Sequence, residues 1–399
     1  MKYETSDNCD SDPILLECKN VLIIIDSLGY GGAERLLVSL LKYIHNIKNI
    51  KVDVVTLYRD SSLKPELTMM GINVIELNIK NRWSLFITTN KIRNILDGDN
   101  YDVIWGNLFF GNIYTALVKY FFPNIKTIWT LHSAGTSDGY NLSFRQLMSH
   151  KVRSLLELYL GNKFVDTMVA VSQSVAVEYT KRNKWRNIEI IYNGVDFLNF
   201  PSPIDNQKKS KIRKQYEVCD KDFLIVTPGR YAPEKGHSVI IDALDILKSK
   251  YNLNIFWIAV GSGELKKDIQ KILLTRGLNN RTKLLDSVQH SILLRLMQSS
   301  DLVVIPSIRE PFGIAAVESM GLGVPTVTSY VDGLIEVVGS SDPIDDIDPG
   351  DDIKLADTIA LLASDSLLRG KLIEVRSKRV RELFDIQRAA SKWVDILWE

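Results

Sequence analysis

The stretch VLIIIDSLGYGGAERLLVSLLKYI, Val21 to Ile44, sets out the architecture in miniature. VLIIID is a short β-branched run with no polar alternation, the signature of a strand buried on both faces. GGAERLLVSLLKYI follows, and its Leu36, Leu37, Leu40, Leu41 and Ile44 recur at helical spacing. A buried strand, a glycine loop and an amphipathic helix form the repeating unit of a doubly wound α/β sheet. The rhythm continues outward through VDVVTL (52–57), YDVIWGN (101–107), TIWTLHS (127–133) and TMVAVSQ (167–173). From Ile191 the pattern breaks into IYNGVDFLNFPSPIDNQKKSKIRK, which has the Asn, Gly, Pro and Lys content of a connector. A second series then begins, with DFLIVTPGR (222–230), NIFWIAVGSGE (254–264), TKLLDSV (282–288), DLVVIPS (301–307) and VPTVTS (324–329). We therefore expect two Rossmann-like domains facing a central cleft, residues 1–200 and 201–384. A last helix, about 385–399, would cross back onto the first domain through Trp393, Val394, Leu397 and Trp398.

Composition narrows the function classes. The 399 residues carry 49 Lys plus Arg against 48 Asp plus Glu, a balance that gives no electrostatic footprint of a nucleic-acid binder. Three cysteines, Cys9, Cys18 and Cys219, form no CxxC pair and fit neither a disulfide framework nor a zinc site. The polar, acidic start (residues 1–18) lacks the basic and apolar regions of a signal peptide, and no run approaches the length of a spanning helix. The expected location is the cytoplasm. Contact with the inner face of the plasma membrane is the alternative to free diffusion, because Leu147, Val152, Leu155 and Tyr159 share one face of the helical stretch Leu142–Phe164, flanked by Arg145, Lys151, Arg153 and Lys163. A core helix with a solvated basic face is the competing reading.

Chemistry concentrates at strand ends. In IREPFGIAAVESMGLGVPTVTS (308–329), Glu310 and Glu318 flank Pro311 and Gly313. With a helix starting at Pro311 or Phe312, the two glutamate backbones lie roughly 10 to 12 Å apart. That is wide for a hydrolase's acid and base, which sit about 5 to 9.5 Å apart across one sugar bond. It suits carboxylates that grip opposite ends of a longer ligand. The N–H groups of Phe312, Gly313 and Ile314 would then form an anion site at the helix start. The plainer alternative makes Glu310 a helix-dipole residue and Glu318 a solvated one. Arg230 and Lys235, in TPGRYAPEKGH (227–237), follow the first strand of the second domain and suit a diphosphate leaving group. A basic surface turn is the plainer reading there. Gly261, in GSGE (261–264), holds the equivalent place one strand on. In the first domain, Gly29, Gly31 and Gly32 make half of a dinucleotide fingerprint, with no acidic residue clearly placed at the end of the second strand. His132 ends the strand TIWTL, where an imidazole could face the cleft. The run Asp342–Asp352 contains D-x-D spacings but reads as a solvated turn rather than a magnesium site.

Taken together, the GGAER loop, the TLHS histidine, VSQSV (171–175), IYNGVD (191–196), GRYAPEKG, GSGE and EPFGIAAVESMGLGVPTV resemble the retaining GT-B glycosyltransferases of family 4, whose mark is a Glu-x7-Glu segment. The resemblance covers nearly the whole chain. It implies a second domain that binds a nucleotide sugar and a first domain that binds the acceptor. Glu310 would hold donor-sugar hydroxyls and Glu318 the ribose, with Arg230 and Lys235 clamping the diphosphate. Gly261, Phe312, Gly313 and Ile314 would line the donor site. Gly31 and Gly32 would lie near the phosphates and acceptor, and His132 against the donor sugar or its phosphate. Asp286, in LLDSV, departs from the family's glycine beside the base. Further implications are front-face transfer, in which the leaving phosphate takes the acceptor's proton, and no metal or cofactor beyond the nucleotide sugar. The expected activity moves a sugar from a nucleoside diphosphate, UDP, to a glycan or lipid-linked acceptor in bacterial surface polysaccharide assembly of O-antigen or capsule type. A sugar-nucleotide epimerase or hydrolase on the same fold is the rival.

Overall fold

A computed structural model describes residues 18–29, 31–45, 47, 49–133, 144–185, 187–339 and 344–399. The polar tail with Cys9, the first residues of the Leu142–Phe164 stretch, the side chains of Arg145 and Leu147, and Asp342 lie outside the described residues. The first sheet contains β1 (Lys19–Ile25), β2 (Ile50–Thr56), β3 (Asn73–Glu76), β4 (Val103–Asn107), β5 (Lys126–Leu131), β6 (Thr167–Ala170) and β7 (Ile188–Ile190). All pair in parallel in the order β3-β2-β1-β4-β5-β6-β7. The second contains β8 (Phe223–Pro228), β9 (Ile255–Val260), β10 (Thr282–Leu285), β11 (Leu302–Ile305) and β12 (Thr326–Thr328), also parallel, in the order β10-β9-β8-β11-β12. Residues Val21–Ile25 are fully buried, as a central parallel strand covered on both faces requires.

Both sheets reverse their strand order beside the first strand, between β1 and β4 and between β8 and β11. Open α/β sheets bind ligands in the crevice at that point, beyond the strands' carboxyl ends. The final helix, Ile386–Trp398, crosses to the first domain, where Ile386, Ala389, Trp393 and Leu397 are buried in one core with Leu37, Leu40 and Leu41 of the helix Gly32–Ile44. Its Trp393 ring stacks on Trp105 of β4 with centroids 4.1 Å apart. At the crossing, Val195 N–H donates to Phe384 O (2.8 Å) and Ile386 N–H to Val195 O (3.1 Å), so the two interdomain passages run side by side.

Of the run 342–352, the described residues 344–352 are only in part a solvated turn: Asp346, Asp348, Pro349 and Gly350 are exposed, but the rest is drawn inward. Ile344 and Ile347 are buried, Asp345 is buried in an ion pair with Arg376, and Asp351 caps the helix Asp352–Ser364 by accepting from Lys354 N–H (2.8 Å). Ile344 and Ile347 supply the reason, since both are buried in the second core and draw Asp345 between them inward.

Candidate active site

Between the domains lies a cleft of about 1090 Å³. Gly31, Gly32, His132, Arg230, Lys235, Gly261, Glu310, Phe312, Gly313, Ile314 and Glu318 all line it. The glycine loop of the first domain meets the helix start of the second, for a Cβ added at Gly32 would sit 3.6 Å from Ile314 Cδ1.

The helix after Glu310 begins at Ile314 and runs to Gly321, three residues later than the proline at 311 suggests. Gly313 decides this: it holds the left-handed conformation (φ 98°), which breaks the helical path and makes it the cap, with its carbonyl accepting from Ala316 N–H at 2.9 Å. Pro311 therefore stands outside the helix. Glu318 is little more than one turn in, with a rise of roughly 6 Å from Ile314. It is buried rather than solvated, and its Oε1 lies 2.7 Å from His290 Nε2. Glu310 sits at the rim, where its Oε2 accepts from Lys235 Nζ at 2.6 Å and from Ser307 Oγ at 3.3 Å. The Lys235 and Glu310 side chains are only 19% and 14% exposed, so this pair is a fixed part of the wall. Arg230 is different: its side chain is 69% exposed and paired with Glu234 four residues on, a contact that costs little to break. Lys235 and Arg230 thus bring two cations to the carboxyl end of β8. Gly261 lets the loops after β8 and β9 touch, since a Cβ there would lie 2.0 Å from Gly229 O.

On the opposite wall, burial lowers the His132 imidazole to about 4, which leaves it neutral near pH 7. One ring nitrogen lies 3.4 Å from Asn107 Oδ1, while Asn107 Nδ2 is buried with no partner among the described residues. At the end of β1, Asp26 accepts from Gly111 N–H at 2.8 Å, yet desolvation raises its carboxyl to about 7 against the pull of that bond and of Arg82. Glu34, in the glycine-loop helix, is also raised, again mainly by desolvation.

Sequence reasoning missed His290 and Asp60. His290 opens the helix after β10, and its place at a strand's carboxyl end was the available signal. Asp60, four residues past β2, folds back so that a Cβ on Gly29 would strike its carboxylate at 2.3 Å, an approach across a loop that no spacing rule encodes. Asp286 lines the cleft with its side chain 80% exposed, 2.6 Å from Lys266 Nζ. Among the described residues, no group of three or more His, Cys, Asp or Glu side chains could hold a metal ion.

Residues 30–197 match the family described as Glycosyltransferase Family 4, and residues 208–379 match Glycosyl transferases group 1. The chain is 26% identical over 302 residues to an uncharacterised glycosyltransferase of Methanocaldococcus jannaschii, covering 72% of this chain and 74% of that one. It is 27% identical over 157 residues to a D-inositol 3-phosphate glycosyltransferase of Jonesia denitrificans, 38% of this chain and 37% of the relative. The fold is shared with Anabaena HepE in complex with UDP (TM-score 0.78, 22% identity, 95% of this chain and 99% of that one). It is also shared with WaaG, a glycosyltransferase involved in lipopolysaccharide biosynthesis (TM-score 0.72, 15% identity, 94% and 99%). With both domains matched in order and the Glu-x7-Glu segment set in the cleft between them, the chain belongs to the GT-B glycosyltransferases of family 4.

Proposed function

We propose that the enzyme is a retaining glycosyltransferase that takes a sugar from a UDP-sugar and places it on a glycan or lipid-linked acceptor in bacterial surface polysaccharide assembly. The observation that carries this reading is the joint placement of Lys235 against Glu310 at the cleft rim and Glu318 beside His290 one helical turn deeper. A carboxylate at each end of a cationic segment matches a sugar, a diphosphate and a ribose in sequence. As the glycosyl bond breaks, negative charge grows on the diphosphate, and Arg230, Lys235 and the N–H groups at Gly313–Ile314, which share the cleft, would stabilise it. The freed phosphate oxygen then takes the acceptor's proton, which fits a first-domain wall that holds His132 neutral. Anabaena HepE, solved with UDP and with UDP-glucose, lends support to the choice of UDP, and the name of WaaG to the pathway. A thermal-shift panel of nucleoside diphosphates and their sugars tests the donor, since a ligand of the folded state raises the melting temperature. UDP compounds should give the largest shift, and turnover should survive EDTA. Release of free sugar or an epimer without acceptor would select the hydrolase or epimerase reading instead.

The acceptor reading has its own support in the helix Phe144–Phe164. Met148, Val152, Leu155 and Tyr159 are exposed along one side, whereas Glu157 and Leu160 face inward. That disfavours the core-helix reading. Lys163 lies 5.5 Å over the Tyr159 ring, at the edge of the apolar stripe. Among the described residues no helix is long and apolar enough to cross a membrane, so contact would be peripheral. The protein should float with anionic liposomes at low salt, and Leu155→Glu should abolish flotation. A wild-type protein that stays at the bottom of the gradient removes the membrane from this reading.

A further inference from the structure

The segment VSQSV has no part in the chemistry above, yet it forms a short polar contact between the domains. Ser172 caps the helix Gln173–Asn183 by accepting from Val175 N–H at 3.2 Å. The same hydroxyl donates across the cleft to Pro311 O at 2.6 Å. The next two N–H groups have no acceptor within their own helix. Gln173 N–H and Ser174 N–H donate instead to the two carboxylate oxygens of Glu336, at 2.8 and 2.7 Å. Glu336 belongs to the second domain, in the helix Asp332–Val338.

That helix also holds the donor-site loop. Asp332 Oδ2 accepts from Glu310 N–H at 3.1 Å, and Gly333 N–H donates to Glu310 O at 3.0 Å. Arg309, next in line, bridges Asp332 (2.7 Å) and Glu178 of the first domain (3.4 Å). Glu310 and Pro311 are therefore gripped from one side by Asp332–Val338 and from the other by Ser172. Glu336 ties these two grips together.

We propose that Glu336 is a positioning residue for the transfer step: by capping a first-domain helix from the second domain, it latches the cleft shut with the Glu310 loop in register. A carboxylate spanning two N–H groups at a helix start combines charge-assisted hydrogen bonds with a favourable helix dipole. Opening the cleft breaks both bonds at once, although water can replace them. The link to transfer rests on the assignment of Glu310 to the donor sugar. The latch itself does not.

Distances between spin labels at Asp97 and Lys271, exposed on separate domains, test the latch in the full chain with Cys9, Cys18 and Cys219 replaced by serine. Glu336→Lys places a cation against the helix start, and the short-distance population should fall roughly tenfold or more. Glu336→Gln keeps one accepting oxygen and should fall in between, which preserves the test if the lysine variant folds poorly. UDP affinity, by calorimetry, should change far less than the closed population, because Arg230, Lys235 and Glu318 lie in the second domain and only Gly31, Gly32 and His132 would reach the donor from the first; turnover of UDP-glucose should drop in step with the closed population. Wild-type distances in both variants would overturn the latch. Wild-type turnover in an opened Glu336→Lys would overturn its positioning role. Failure of UDP to bind the wild-type protein would count against the proposed donor alone, since the distances are read without ligand.

Discussion

On the second-domain wall of the cleft, Lys235 and Arg230 stand beside carboxylates, whereas on the first-domain wall burial strips charge from His132, and Asp26 and Glu34 behind the glycine loop are pushed toward their protonated forms, although that wall also carries Asp60 and an ion pair of Arg35 with Glu66. The difference separates two tasks on one fold. A wall that carries cations and open N–H groups can receive an anion and stabilise more charge as it develops. The uncharged stretch of wall at His132 can hold hydroxyls without competing for the phosphate. Asn107 and His132 also line a separate small cavity, and Asn107 Nδ2 is buried there and unpartnered among the described residues.

The sharpest way to break this contrast is to remove a cation from the charged wall. Lys235→Ala deletes the partner of a largely buried Glu310 carboxylate and half of the proposed diphosphate clamp together. Truncating one member of such a pair costs about 2 to 5 kcal/mol, so UDP affinity should fall by roughly a hundredfold. Calorimetry reads the affinity directly. Arg230→Ala should cost much less in the free enzyme, because the Glu234 contact it loses is exposed. Equal stability losses in the two variants would mean that the rim pair is no more built-in than a surface contact.

The two glutamates sharpen the contrast within the charged wall. If Glu318 grips the ribose, Glu318→Ala should weaken UDP as well as the whole donor by about 1.5 to 3 kcal/mol. Glu310→Gln, with its ligand partner on the transferred sugar, should leave UDP affinity nearly unchanged and lower turnover. Steady-state rates beside nucleotide calorimetry separate the two. Matching losses of UDP affinity would show that both carboxylates touch the same end of the ligand.

How far these walls could be read from the chain depends on the range of the physics involved. The central strands were legible because full burial on both faces leaves an unbroken β-branched run, as in Val21–Ile25. The edge strands of the first sheet were not: β3 and β7 are short and partly exposed, with one neighbour each, so Asn73–Glu76 and Ile188–Ile190 carry no such run. Arg230, Gly261 and His132 were recognisable among the cleft residues because each lies just past the carboxyl end of a strand. The helix start was misplaced because two local rules compete, and the left-handed Gly313 prevailed over the preference for proline in a first turn. Asp345 with Arg376, His290 with Glu318 and Ser172 with Pro311 are contacts between residues 31, 28 and 139 positions apart, set by packing that no local pattern records.

The smallest expected effect probes the other wall through stability alone. The Asp26 carboxyl moves from its ordinary 3.8 in the unfolded chain to about 7 in the fold, so between those values the folded protein holds a proton that the unfolded chain has released. Its contribution is fully present below about 3.8 and is lost as pH rises through about 7. Asp26→Asn cannot ionise, and its carbonyl can still accept from Gly111 N–H. The variant should match wild type near pH 4 and exceed it at pH 8 by about 1 to 2 kcal/mol, after allowance for partial solvent access. His132 and His237 act in the opposite sense: burial lowers both to about 4, so they withdraw stability as pH falls from 6.5 toward 4. Those histidines are common to both proteins, and the difference between the two melting curves cancels them. Denaturant melts at pH 4, 6 and 8 would show the gap opening upward if the first-domain wall suppresses charge as described. A constant gap, or a variant less stable at pH 8, would place an ionised carboxylate at the end of β1 and remove the contrast between the walls.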